Sequence, residues 1–171
     1  MSMHHCFNTG SVVPDLRSTD KFEALRELIR GAPVFRTIDD RSRLEAAVIA
    51  RERRQTTGFG HGVAVAHGRV KGVSQVLIAL GISRAGIPYD SPDGEPVHLL
   101  FVIASPPHLS LEYLQALSTL VRCLRDKEAR DALRDASSAV EIETRLRAAF
   151  SAELVRFEEP LSGRQQRGSS G

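Results

Sequence analysis

The residues best equipped for chemistry gather between Thr56 and Arg69, where the chain reads Thr-Thr-Gly-Phe-Gly-His-Gly-Val-Ala-Val-Ala-His-Gly-Arg. His61, His67 and the flanking Arg69 frame one short apolar run, punctuated by Gly58, Gly60, Gly62 and Gly68. Val63 to Ala66 is too short for a helix, follows glycine and is β-branched at alternate positions, so it reads as a buried strand. That strand delivers His67 to its end, and Gly68 leaves the next stretch of backbone uncrowded. A histidine on a rigid element suits proton or phosphoryl transfer, because a neutral imidazole nitrogen is nucleophilic near pH 7. A structural histidine at a strand end is the plainer alternative. His61 reads as a loop residue. Pairing it with His67 around a metal fails on reach, since an extended segment from 61 to 67 spans roughly 20 Å.

The flanking sequence must supply what positions these groups. A helix opens near Asp20, where Asp20-Lys21-Phe22-Glu23 resembles a capping box, and Gly31 with Pro33 ends it. Phe22, Leu25, Leu28 and Ile29 share its inner face. A second helix spans about Asp40 to Arg53, with Leu44, Ala47, Val48 and Arg51 inward and a basic end that suits the helix dipole. Arg51 is thus either a solvated helix-end arginine or a group aimed at the histidine. Val73 to Leu80 reads as a central strand. Ile82 to Pro96, with Gly86, Pro88, Pro92, Gly94 and Pro96, reads mostly as loop. Val97 to Ala104 is nearly continuous apolar sequence and predicts a strand buried on both faces. After Ser105-Pro106-Pro107, a helix from Ser110 to Arg125 is expected to turn Leu111, Leu114, Leu117, Val121 and Leu124 to the core. A shorter helix covers Lys127 to Leu133, and Ser138-Ala139-Val140-Glu141 opens a last one through about Phe150. This alternation predicts an α/β fold, a three-layer sandwich with one mixed central sheet and helices on both faces. Residues 1–17 are expected to form an arm or a first short strand, 18–150 the domain, and 151–171 an extension ending in a largely disordered tail.

Composition excludes several classes. Apolar residues make up 42% and charged residues 26%, which are ordinary globular values rather than those of a disordered chain. A net charge of +2 gives no reason to expect a nucleic-acid or membrane partner. The basic cluster from Arg41 to Arg54 is interleaved with Glu45 and Glu52 and lacks stacking aromatics. Cys6 and Cys123 have no metal-type spacing, and the first residues lack the blocks of a signal peptide, so a reduced, cytoplasmic setting is expected. No apolar run approaches a membrane span.

Arg51-Glu52 followed by Thr57-Gly58-Phe59-Gly60-His61-Gly62-Val63-Ala64-Val65-Ala66-His67 resembles the signature of phosphotransferase-system enzyme IIA domains of the fructose/mannitol class, which includes the nitrogen-regulatory IIA proteins. Pro96 to Ile103, a proline-containing turn and a Leu-rich helix resemble the same family, and the likeness spans roughly residues 18–150. The resemblance implies that His67 accepts a phosphoryl group from a histidine phosphocarrier protein of the HPr or NPr type. Its partner beyond that would be a IIB domain or a regulatory target protein. Arg51 would stabilise the transferred charge, and Gly68 would let main-chain N–H groups approach the phosphate. No cofactor or metal is implied, and the chain has no Gly-x-x-x-x-Gly-Lys-[Ser/Thr] loop. With no IIB or membrane-spanning IIC sequence present, the regulatory, nitrogen-type branch is the expected one. Two departures stand out: Ala66 replaces the family's proline before the histidine, and Tyr113 falls where many relatives carry a second histidine. His108, five positions earlier, is the other candidate for that place, and His61 a third neighbour to consider. A tyrosine cannot carry positive charge. The alternative reading is therefore a IIA-like interaction domain that has lost phosphoryl transfer.

Overall fold

A computed structural model of the chain describes residues 6–7 and 10–158. The most apolar run, β5 (Val97–Ser105), is buried along almost its whole length and lies in the middle of the sheet, where helices cover both its faces. Among the described residues four further strands join it: β1 (Val12–Val13), β2 (Gly58–Gly60), β3 (Val63–Arg69) and β4 (Leu77–Ile87). Their order is β1-β4-β5-β3-β2. β3 runs parallel to β5 and β1 parallel to β4, while β4–β5 and β2–β3 are antiparallel, so the sheet is mixed.

Two helices, α1 (Lys21–Gly31) and α2 (Arg41–Arg54), cover one face, and α3 (Ser110–Cys123), α4 (Lys127–Asp135) and α5 (Ala139–Glu158) cover the other. The two-residue period of a strand divides the core between them. Ala64 and Ala66 of β3 face α1 and α2 with Leu100, Val102 and Ala104, whereas Val63 and Val65 join Leu99, Phe101 and Ile103 under α3 to α5. The same alternation puts His67 on the α3 side and Gly68 on the α2 side. The three-layer sandwich read from the sequence is the observed architecture.

Local differences have local causes. The strand expected over Val73–Leu80 starts four residues later and runs on to Ile87, through what was read as loop. Gly81 and Gly86 are the reason. A Cβ on Gly81 would lie 2.5 Å from Leu16 Cδ1, and Gly86, at φ +85°, sits in a register irregularity between Ile82 and Ile87. These glycines mark close approach and a bulge within a strand, not its end. In α3 the buried positions are Ala116, Thr119, Leu120 and Cys123; of the residues expected inward, Leu117 and Leu124 pack in the core, whereas Leu111 and Leu114 are 78% and 56% exposed. α5 continues to Glu158 and buries Leu154. The expected tail, Leu161–Gly171, lies outside the described residues. No helix among the described residues is long and apolar enough to cross a membrane.

Candidate functional site

His67 and Ser105 meet because β3 and β5 run in parallel register, with His67 opposite Ile103 and Arg69 opposite Ser105. Residues 103 and 105 share a face, so the buried Ser105 hydroxyl comes to 2.8 Å from His67 Nε2. From the first turn of α3, Tyr113 lays its ring on the imidazole, with centroids 3.7 Å apart and planes 10° from parallel. The ring is thus held at one nitrogen and along one face. Among the described residues Nδ1 has no protein hydrogen bond, and the Nε2 tautomer sets whether the Ser105 hydroxyl accepts from that nitrogen or donates to it.

Burial pushes the His67 pKa down from 6.5 to about 4, and the positive charges of Arg69 and Arg51 act in the same direction. The imidazole is therefore neutral near pH 7, the form in which one nitrogen keeps a nucleophilic lone pair. Burial also raises the Tyr113 phenol above its ordinary range, so it stays protonated and able to donate a hydrogen bond.

A cavity of about 210 Å³ opens beside the ring and is lined by Arg51, Gln55, Thr56, Thr57, His67 and Tyr113, among others. Arg51, at the end of α2, uses Nη1 to donate to the Gln55 carbonyl at 2.9 Å. That bond ties the guanidinium to the wall of the cavity and leaves the other donors of its fork for an anion. The neighbouring Glu52 points the other way. Its buried carboxylate accepts from the Thr57 N–H at 3.0 Å and from the Thr57 hydroxyl, and meets Lys21 Nζ of α1 at 3.2 Å. The Tyr89 hydroxyl lies 3.3 Å from Thr57 Oγ1, and the Lys21 ammonium stands 5.0 Å from the Tyr89 ring centre. A carboxylate this deep is tolerated because it is paired and hydrogen-bonded. It anchors the Thr56–Gly58 segment that forms the cavity wall.

Of the residues singled out by sequence, the structure gathers His67, Arg51 and Tyr113 into one cavity. His108 is exposed on the turn before α3 and does not line it. His61 is exposed on the β2–β3 turn at φ +55°, outside the cavity. Among the described residues no group of three or more potential ligands could hold a metal ion. Gly68 has a packing role: a Cβ there would lie 2.7 Å from Val48 Cγ2 and 2.8 Å from Leu44 Cδ1, both on α2. Ser105 and Gln55 escaped the sequence reading, and Thr57 entered it only as part of the signature. Arg69 had a usable signal, since two positions along a strand return to the same face; Ser105 did not, because the β3–β5 register is invisible in one sequence.

The family profile described as "Phosphoenolpyruvate-dependent sugar phosphotransferase system, EIIA 2" matches residues 5–148. The chain is 30% identical over 129 residues to a nitrogen regulatory protein of Bradyrhizobium diazoefficiens, a match covering 75% of this chain and 84% of that one. It is 33% identical over 124 residues to the fructose-specific EIIABC component of Bacillus subtilis, covering 72% of this chain and only 20% of that longer protein. Among solved structures, the nitrogen regulatory protein IIA-Ntr of Neisseria meningitidis superposes with a TM-score of 0.76 at 30% identity, covering 84% of this chain and 98% of that one. The profile runs through the His67 cavity and both layers that build it, and the chain belongs to the enzyme IIA family of the phosphoenolpyruvate-dependent sugar phosphotransferase system.

Proposed function

We propose that this transferase component accepts its phosphoryl group on His67, from a phosphohistidine of a small carrier protein of the HPr or NPr type, in a nitrogen-type regulatory branch. In the transfer the donor's P–N bond breaks as a P–N bond to His67 forms. The donor ring leaves as a neutral imidazole by taking up a proton, and His67 gives up the proton on its non-attacking nitrogen, so no proton is gained or lost overall. Arg51 meets the negative oxygens of the transferred group, and the Tyr113 hydroxyl is a further donor at the same cavity. The observation that carries this reading is an imidazole clamped between Ser105 and Tyr113 at the wall of a cavity that also holds Arg51. The names of the Bradyrhizobium and Neisseria relatives support the nitrogen branch. The onward partner is a regulatory target or a IIB domain, and the setting is cytoplasmic.

Incubation with phosphoenolpyruvate, enzyme I and the carrier should label the wild-type chain with acid-labile, base-stable phosphate, and His67→Ala should abolish the label. An unlabelled wild type, with a carrier shown to be phosphorylated in the same tube, overturns the reading. A second reading has its own observation. Tyr113 covers one face of the ring and His108 stays outside the cavity, so among the described residues no second histidine lines the cavity to receive or share charge. On that reading the domain binds its target without ever carrying phosphate.

A further inference from the structure

A second cavity, of about 240 Å³, lies between the β2–β3 hairpin and the C-terminal end of α3. Its floor is apolar, built from Val63, Val65, Val121 and Leu124. Phe59, 48% exposed, forms one lip. The opposite rim is cationic, with Arg125 and Arg130. The carbonyls at the end of α3 would normally repel an anion here. Arg130 answers them, donating from Nη1 to the Leu124 carbonyl at 2.8 Å and the Arg125 carbonyl at 2.9 Å. Among the described residues the Arg125 guanidinium meets no acceptor.

The hairpin side is braced in advance. Gly60, His61 and Gly62 all have positive φ, and the His61 N–H donates to Asp93 Oδ2 at 2.8 Å. A left-handed conformation at a residue other than glycine persists only when its surroundings hold it. Benzene fits an engineered cavity of about 150 Å³, so the space here accommodates a small ring with a charged substituent.

We propose that this cavity is a binding site for a small organic anion, with an apolar body on the valine and leucine floor and one carboxylate or phosphate on Arg125. It is separate from the His67 cavity but shares Phe59 and Val65 with it, so an occupant would press on residues that also wall the histidine. The inference stands whether or not His67 is phosphorylated.

The test is a titration of the full chain followed by backbone and methyl NMR, with phenyl phosphate, phenylacetate and neutral benzyl alcohol as probes. Both anions should shift the Val63, Val121 and Leu124 signals, and benzyl alcohol should bind at least about tenfold more weakly, as loss of one charged hydrogen bond implies. Arg125→Gln should weaken the anions by about tenfold and Arg125→Lys by less. If phenyl phosphate binds better than phenylacetate, the natural ligand carries phosphate; the reverse order assigns a carboxylate. Equal binding of the neutral probe, indifference to Arg125→Gln, or shifts confined to the His67 cavity and abolished by Arg51→Gln would each overturn the proposal.

Discussion

Burial holds His67 neutral, with the Arg69 and Arg51 charges acting in the same direction, and two single side chains lie directly on the buried ring. Tyr113 seals one ring face and Ser105 occupies Nε2, so the imidazole has lost much of the water that would stabilise its charged form. An NMR pH titration should place the His67 midpoint near 4, well below 6.5. Tyr113→Ala should move it upward, whereas Tyr113→Phe, which keeps the stacked ring, should leave it low. A midpoint unmoved by Tyr113→Ala would mean that the stack does not control desolvation. The same depression links to stability. Between pH 6.5 and about 4 the unfolded chain binds a proton that the folded chain refuses, so the stabilising effect is full above 6.5 and lost as pH falls towards 4. His67→Gln, which cannot titrate, should flatten that part of the stability–pH curve measured by urea unfolding. Tyr113 also shows the limits of one sequence. Its position was legible from the resemblance, but the stack depends on the pitch of α3, whose inner face the apolar pattern locates only in part, at Leu117 and Leu124 but not at Leu111 and Leu114.

At the scale of elements, α2 carries Arg51 to the cavity, and two contacts fix where α2 sits. One is the absent side chain of Gly68 beneath Val48 and Leu44. Gly68→Ala should cost about 1–3 kcal/mol in denaturant unfolding, the usual penalty of overpacking a dense core. A neutral result would show that α2 yields easily. The other contact is the Lys21–Glu52 pair, which joins α1, α2 and the Thr57 segment. Lys21→Met leaves a buried carboxylate without its cation and should cost about 3–5 kcal/mol. The double variant Lys21→Met/Glu52→Gln should recover much of that loss, since the uncompensated charge is gone; no recovery would assign the cost to lost packing instead. The existence and type of α1, α2, β3, β5 and α3 were legible because each has a strong period or an unbroken apolar run. Gly68 and Gly81 were not. A glycine that admits a neighbour's side chain looks the same in sequence as one that admits a ligand or turns the chain, and only the residue packed above it separates the cases.

The described residues nearest each end pack into the core under α3 to α5, which alters where the folding unit should be drawn. Residues 1–17 are expected as an arm or a first short strand and 151–171 as an extension; Val12–Val13 is such a strand, and Cys6, Phe7, Val12 and Leu154 are all buried. Phe7 packs edge-on against Phe150 with ring centres 5.0 Å apart, and the Gly10 N–H donates to Glu143 Oε1 of α5 at 2.8 Å. Val12 and Val13 extend the sheet beside β4. We infer a folding unit that reaches from about Cys6 to Leu154, so the boundary at 150 falls inside α5. Two truncations separate the boundaries. A chain ending at Glu158 should melt with the full-length protein. One ending at Phe150 loses the burial of Leu154, worth about 1.5–3 kcal/mol, and should melt roughly 3–12 °C lower for a domain of this size. Since α5 packs on α3, which carries Tyr113, the shorter chain should also show a raised His67 midpoint if loosening of that layer lets water reach the imidazole. Equal melting of the two truncated chains would return the boundary to Phe150. A lower melting temperature with an unchanged His67 midpoint would show that the site is held by β3, β5 and the first turn of α3 alone.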